Sequence, residues 1–112
     1  MSLAVGALAS VTIASPAQAA KSRCSSTGWL CMWSASNYSG TFSYIDPAGD
    51  GSSDGSCHRF AFGTVRSAYN RAIPTYRFYS GTNCTGSSVA LVGYASSANF
   101  GFNAQSMRDV GF

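Results

Sequence analysis

MWSASNYSGTF (32–42) recurs as FYSGTNCTGSS (78–88), and that recurrence decides the fold. In the first copy Trp33 leads to Tyr38 and then Gly40; in the second, Tyr79, Cys84 and Gly86 stand at the same offsets, 46 residues on. Each copy opens on an apolar strand-like run, WLCMW (29–33) or TYRFY (75–79). Each then crosses a Ser/Asn/Thr-rich turn and resumes a strand, TFSYI (41–45) or SVALV (88–92). Each unit closes on a serine, Ser67 in TVRSAYN and Ser106 in AQSMRD. Self-similarity of this kind means two units built on one backbone plan. The glycine supplies a backbone angle that other residues resist.

The rest of the chain fits around these units. HRFAF (58–62) alternates, which sends Phe60 and Phe62 toward a core, and a last strand is expected around Met107 to Val110. PAGDGSSDGS (47–56) has no large apolar side chain and reads as a surface loop. Residues 71–75, around Pro74, read as the linker between the units. No window after the first twenty residues keeps a helical period, and six tyrosines with seven phenylalanines favour sheet. The expected fold is all-β, about eight short strands.

Residues 1–19 stand apart. LAVGALASVTIA is a short apolar run ending at Ala17-Gln18-Ala19, the pattern of a cleaved secretory signal. It is too short to span a bilayer. The basic residue that normally opens such a signal is missing from MSLAV, which fits a start upstream of Met1 or a truncated chain. The expected mature protein is residues 20–112, one domain, secreted, without a membrane anchor and monomeric. Its first unit spans about 24–70 and its second about 75–112.

Four cysteines, Cys24, Cys31, Cys57 and Cys84, in an exported chain this short imply two disulfides. Of the three possible pairings, Cys24 with Cys31 is favoured because they are near in sequence and flank the first strand, which leaves Cys57 with Cys84. The short and long loops are worth roughly 2.5 and 3.5 kcal/mol by loop entropy. Zinc ligation would need closer cysteine spacing or a second histidine, and His58 is the only one. The residues at 21–28 form a polar arm tethered by Cys24.

Composition argues against catalysis. The chain has no glutamate, a single histidine and no G-x-S-x-G elbow, so paired-carboxylate and Ser-His-Asp chemistries lack their parts. Seven basic residues against four aspartates give a net charge of +3, but the arginines are scattered at 23, 59, 66, 71, 77 and 108. Without a basic stripe, no nucleic-acid partner is expected. No catalytic residue and no cofactor is expected either.

Aromatic-x4-aromatic-x-Gly followed by a later serine, twice over, resembles the βγ-crystallin Greek-key motif. The resemblance implies a Greek-key sandwich of two motifs. In it the first aromatic packs over a folded hairpin, the glycine takes the required angle and the serine hydroxyl bonds back to the hairpin backbone. Those roles would fall on Trp33, Tyr38, Gly40 and Ser67, then on Tyr79, Gly86 and Ser106. Cys84 departs from the pattern by replacing the second aromatic, and a bridge to Cys57 would stand in for the lost packing. Calcium-binding crystallin motifs place paired Asn or Asp ahead of the serine. Here the chain has Thr64-Val65-Arg66-Ser67 and Asn103-Ala104-Gln105-Ser106, of which only Asn103 suits a hard cation, so no metal site is expected. Asp46, Asp50 and Asp54 are the only other cation candidates.

More narrowly, C-x6-C-x-W at 24–33, the NYSG turn and the SxR-type ends resemble the actinobacterial peptidase-inhibitor family typified by the Streptomyces metalloproteinase inhibitor. That resemblance covers the mature chain and implies an extracellular protease as partner; since tethered loops lower the ordering cost of binding, the candidate contact loops are those near Cys57 and Cys84. No reactive bond and no protease-contact residue is assigned by it. Two other readings remain open: a crystallin-like envelope-associated structural or killer-toxin-like module, and a carbohydrate-binding domain using Trp29, Tyr44 or Tyr94.

Overall fold

The run WLCMW is apolar without alternation, which on a two-layer protein means that both faces of the strand are covered. The computed structural model, which describes residues 20–47, 55–61 and 63–111, shows how. Strand β1 (Leu30–Ala35) sends Leu30 and Met32 into the space between two sheets, and Cys31 and Trp33 into a second cluster on the outer face. That outer cluster also holds Cys24, Tyr38, Phe42 and Tyr69. The arm covers it: a helical turn closes through Cys24 N–H to Lys21 O, and Lys21 and Arg23 lie over the rings of Tyr69 and Phe42 at 4.6 and 4.5 Å.

Seven further strands follow among the described residues: β2 (Ser39–Ile45), β3 (His58–Arg59), β4 (Ser67–Asn70), β5 (Thr75–Tyr79), β6 (Ser88–Leu91), β7 (Ser96–Ser97) and β8 (Ser106–Gly111). They form two four-stranded antiparallel sheets, ordered β2-β1-β4-β7 and β3-β8-β5-β6. The first unit places β1, β2 and β4 in one sheet and its third strand in the other; the second unit does the reverse with β7. Each unit thus lends one strand to its partner's sheet. Neither sheet is complete without the other unit, so the two must fold together.

Between the sheets Phe78 of β5 packs against Phe60 and Phe100, with centroids 6.1 and 5.0 Å apart, and Val65, Tyr76, Leu91, Ala104 and Met107 fill the remainder. The alternating burial of Thr75–Tyr79 matches the period-two pattern of TYRFY. Elsewhere the strands differ from their sequence limits. The first runs on to Ala35 and the second starts at Ser39, because the hairpin between them is tighter than its polar composition indicates. The third is only two residues long, and Phe60 enters the core from just beyond it. Two short strands, Ser67–Asn70 and Ser96–Ser97, carry no strand-favouring residue besides Tyr69 and are held by their neighbours instead. Residues 1–19, Asp50, Asp54 and Phe62 lie outside the described residues.

Cys24 is bonded to Cys31, tying the arm to β1, and Cys57 to Cys84, tying the segment before β3 to the β5–β6 hairpin. The second bond joins one unit to the other. Replacing Cys57 and Cys84 together by serine is expected to lower unfolding free energy by about 3.5 kcal/mol; urea titration of the oxidised variant against wild type, followed by tryptophan fluorescence, checks it.

Candidate functional site

The repeat resolves into two superimposable hydrogen-bond devices. In the first hairpin Ser34 Oγ accepts from Thr41 N–H at 2.8 Å; in the second Ser80 Oγ accepts from Ser87 N–H at 3.0 Å. A Cβ on Gly40 would collide with Ser34 Oγ, and one on Gly86 with Ser80 Oγ, and both glycines have positive φ. Tyr38 and Cys84 share φ 56°, a left-handed angle that side chains resist. Two buried serines hold those angles. Ser67 Oγ donates to Ala35 O (2.7 Å) and accepts from Tyr38 N–H (3.0 Å); Ser106 Oγ donates to Gly81 O (2.6 Å) and accepts from Cys84 N–H (2.9 Å).

Trp33 meets Tyr38 edge-on at 5.1 Å in the first hairpin. The second has Tyr79 at the matching position and, in place of the second ring, the Cys84 sulfur bonded to Cys57. Ser34 and Ser80 escaped sequence reasoning, although the shared serine directly after Trp33 and Tyr79 was there to be read.

Register places these parts in space. Trp33 pairs with Ser67, Tyr79 with Ser106, and Val65 bridges Ala104 between the sheets, so both hairpins lie at one end of the sandwich. There Arg66 engages two asparagine side chains. Its guanidinium donates to Asn103 Oδ1 at 3.1 Å and Asn99 Oδ1 at 3.5 Å, and Gln105 Nε2 donates to Ser80 O at 2.8 Å. Among the described residues no three His, Cys, Asp or Glu side chains come together. His58 Nε2 lies 3.2 Å from Ser56 Oγ, and Asp46 is exposed at the far end of β2.

At the opposite end Asn70 is fully buried, and its amide organises the linker. Asn70 Nδ2 is within donating distance of Pro74 O (2.8 Å), Leu91 O (3.0 Å) and Val92 O (3.3 Å), while Oδ1 accepts from Ala72 N–H (2.9 Å). From the other side Arg71 N–H donates to Trp29 O, Gly28 N–H to Arg71 O, and the Arg71 guanidinium to Cys24 O at 2.9 Å. Gly93 approaches so closely that a Cβ there would meet Ile73 O at 2.6 Å. The result is a braced turn, 71–74, standing beside a second turn, 92–95, in which Tyr94 is left-handed at φ 66°. A cleft of about 260 Å³ between Thr27, Pro47, Pro74 and Tyr94 adjoins them. Asn70 carried no sequence signal beyond being polar at the end of a unit. Of the aromatics considered for carbohydrate, Trp29 spends one ring face on Tyr44, stacked at 3.8 Å, and Tyr94 stands exposed in the 92–95 turn.

Paired Greek-key units that exchange their third strands define a crystallin-type domain. The sequence model of peptidase inhibitor family I36 matches residues 17–91, and the chain belongs to that family, which is one of inhibitors and not of enzymes. A solved structure described as IPSE alpha-1, an IgE-binding crystallin, is similar at a TM-score of 0.52 and 16% identity, over 74% of this chain and 82% of that one. At that identity the likeness speaks for the fold alone. No curated protein matches the chain.

Ser67→Ala and Ser106→Ala each take the partner from an N–H and a carbonyl that are at least partly buried, and each is expected to cost about 1–3 kcal/mol in urea unfolding. Millimolar calcium is expected to leave the wild-type melting temperature unchanged, since the oxygens beside Arg66 already accept from a fixed cation; calorimetry with and without chelator measures this.

Proposed function

We propose that the protein is a secreted peptidase inhibitor that binds an extracellular metallopeptidase and blocks it by contact, without chemistry of its own. The observation that carries this reading is the family match across residues 17–91. The molecule's construction supports it in two ways. Both disulfides are closed among the described cysteines, which suits an oxidising compartment outside the cell. Its turns are held by buried side chains and crosslinks, which lowers the ordering cost that binding would otherwise incur. The family to which it belongs implies a protease partner. The metallopeptidase target follows from the resemblance to the Streptomyces inhibitor, and a one-to-one complex of monomeric inhibitor with enzyme is the simplest form of such contact.

The test is a titration. Purified oxidised protein added to thermolysin-like metallopeptidases is expected to abolish activity near equimolar inhibitor, and to act more weakly on subtilisin-like serine peptidases. Undiminished activity of both classes at micromolar excess would remove the reading.

A further inference from the structure

Most exposed side chains of the two hairpins are small and polar: Ser39, Asn83, Thr85, Ser87. The opposite end differs. Five large apolar side chains are exposed among the described residues, and three of them, Ile73 (63%), Val92 (58%) and Tyr94 (55%), stand on the two adjoining turns there. We infer that this end is the face that meets the peptidase, with Ile73 as the specificity-determining side chain and Asn70 as its positioning residue. The inference rests on the inhibitor reading and deepens it.

Two observations converge on Ile73. It is the most exposed large apolar residue described, yet its turn is held on both sides, because Ala72 and Pro74 are both bonded to the buried amide of Asn70. Exposure on a rigid support is the condition for an anchor that enters a pocket with little loss of freedom. The braces come from three separate parts of the chain: Asn70 itself, the 92–95 turn, and the arm through Arg71 to Cys24 O. A peptidase of this complement has an apolar primary pocket sized for a branched aliphatic side chain.

The experiment measures inhibition constants of Ile73→Ala, Ile73→Leu and Ile73→Arg against the peptidase that wild type inhibits best. Ile73→Ala is expected to weaken inhibition roughly tenfold or more, Ile73→Leu to retain it, and Ile73→Arg to lose it while gaining inhibition of a trypsin-like peptidase with an acidic pocket. Because Ile73 is exposed, all three should melt within a degree or two of wild type, which separates contact from folding. Asn83→Ala, at the hairpin end, is expected to inhibit as wild type does. Equal inhibition by Ile73→Ala and Ile73→Arg would overturn the assignment, and loss through Asn83→Ala alone would move the face to the hairpins. A wild-type dimer dissolved by Ile73→Ala in sedimentation would also overturn it, identifying the patch as self-association. Failure of wild type to inhibit any peptidase would instead remove the inhibitor reading, and this assignment with it.

Discussion

Two buried hydroxyls hold this molecule's shape. Ser67 and Ser106 each satisfy a carbonyl and an N–H across a hairpin that folds back on its own sheet. The residue whose N–H they receive is held at a left-handed angle, which tyrosine and cysteine resist. The serine comes from the last strand of its unit and the hairpin from between the first two. One side chain therefore fixes the relation between the beginning and end of a unit, at a separation of 29 residues in the first and 22 in the second. The third strand of each unit pairs beside the last strand of the other.

Exchange of third strands makes the sandwich a single cooperative object, and the two units solve the same packing problem by different chemistry. The first closes its hairpin with an aromatic pair, Trp33 against Tyr38, supported beneath by the arm and its disulfide. The second gives up a ring at Cys84 and gains a covalent bond to the other unit through Cys57. A ring contributes by excluding water from the hairpin, whereas a crosslink contributes chiefly by restricting the unfolded chain. The two positions differ in burial as well: Cys84 is half-buried where Tyr38 is buried.

The repeat made the architecture legible because its offsets encode backbone geometry directly. Glycine at the third marked position and serine at the end of each unit are demanded by angles and hydrogen bonds that no other residues meet as well, so they survive as readable signals. TYRFY was equally plain, since only one of its faces is buried. Where tertiary context decides, the sequence is mute. Ser96–Ser97 is a strand only because Ala68 and Tyr69 offer it a ladder. The arm at 21–28 looks like a polar tether, yet its cations lie over aromatic rings whose positions depend on the sheet beneath. Asn70 looks like any polar residue at a strand end, and its several partners belong to segments brought together only by the finished fold.

That dependence of Asn70 on the whole fold explains how the two ends of the sandwich differ in character. At the hairpin end the polar groups are turned inward on themselves, serine to backbone and Arg66 to asparagine, leaving small side chains outside. At the linker end the polar groups are again consumed internally, but the residues left over are Ile73, Val92 and Tyr94. An apolar side chain held in water costs stability for the free protein unless it is compensated elsewhere. Here the compensation is structural: Asn70, Arg71 and the Cys24–Cys31 crosslink fix the backbone, so the apolar groups cannot collapse onto the core or fold away. The first disulfide therefore acts at a distance from the cysteines it joins. By holding Cys24 O in place for Arg71 it stiffens the turn that presents Ile73. Its reduction would free the arm, uncover Trp33 and Phe42 on the outer face, and slacken one side of the linker in the same step.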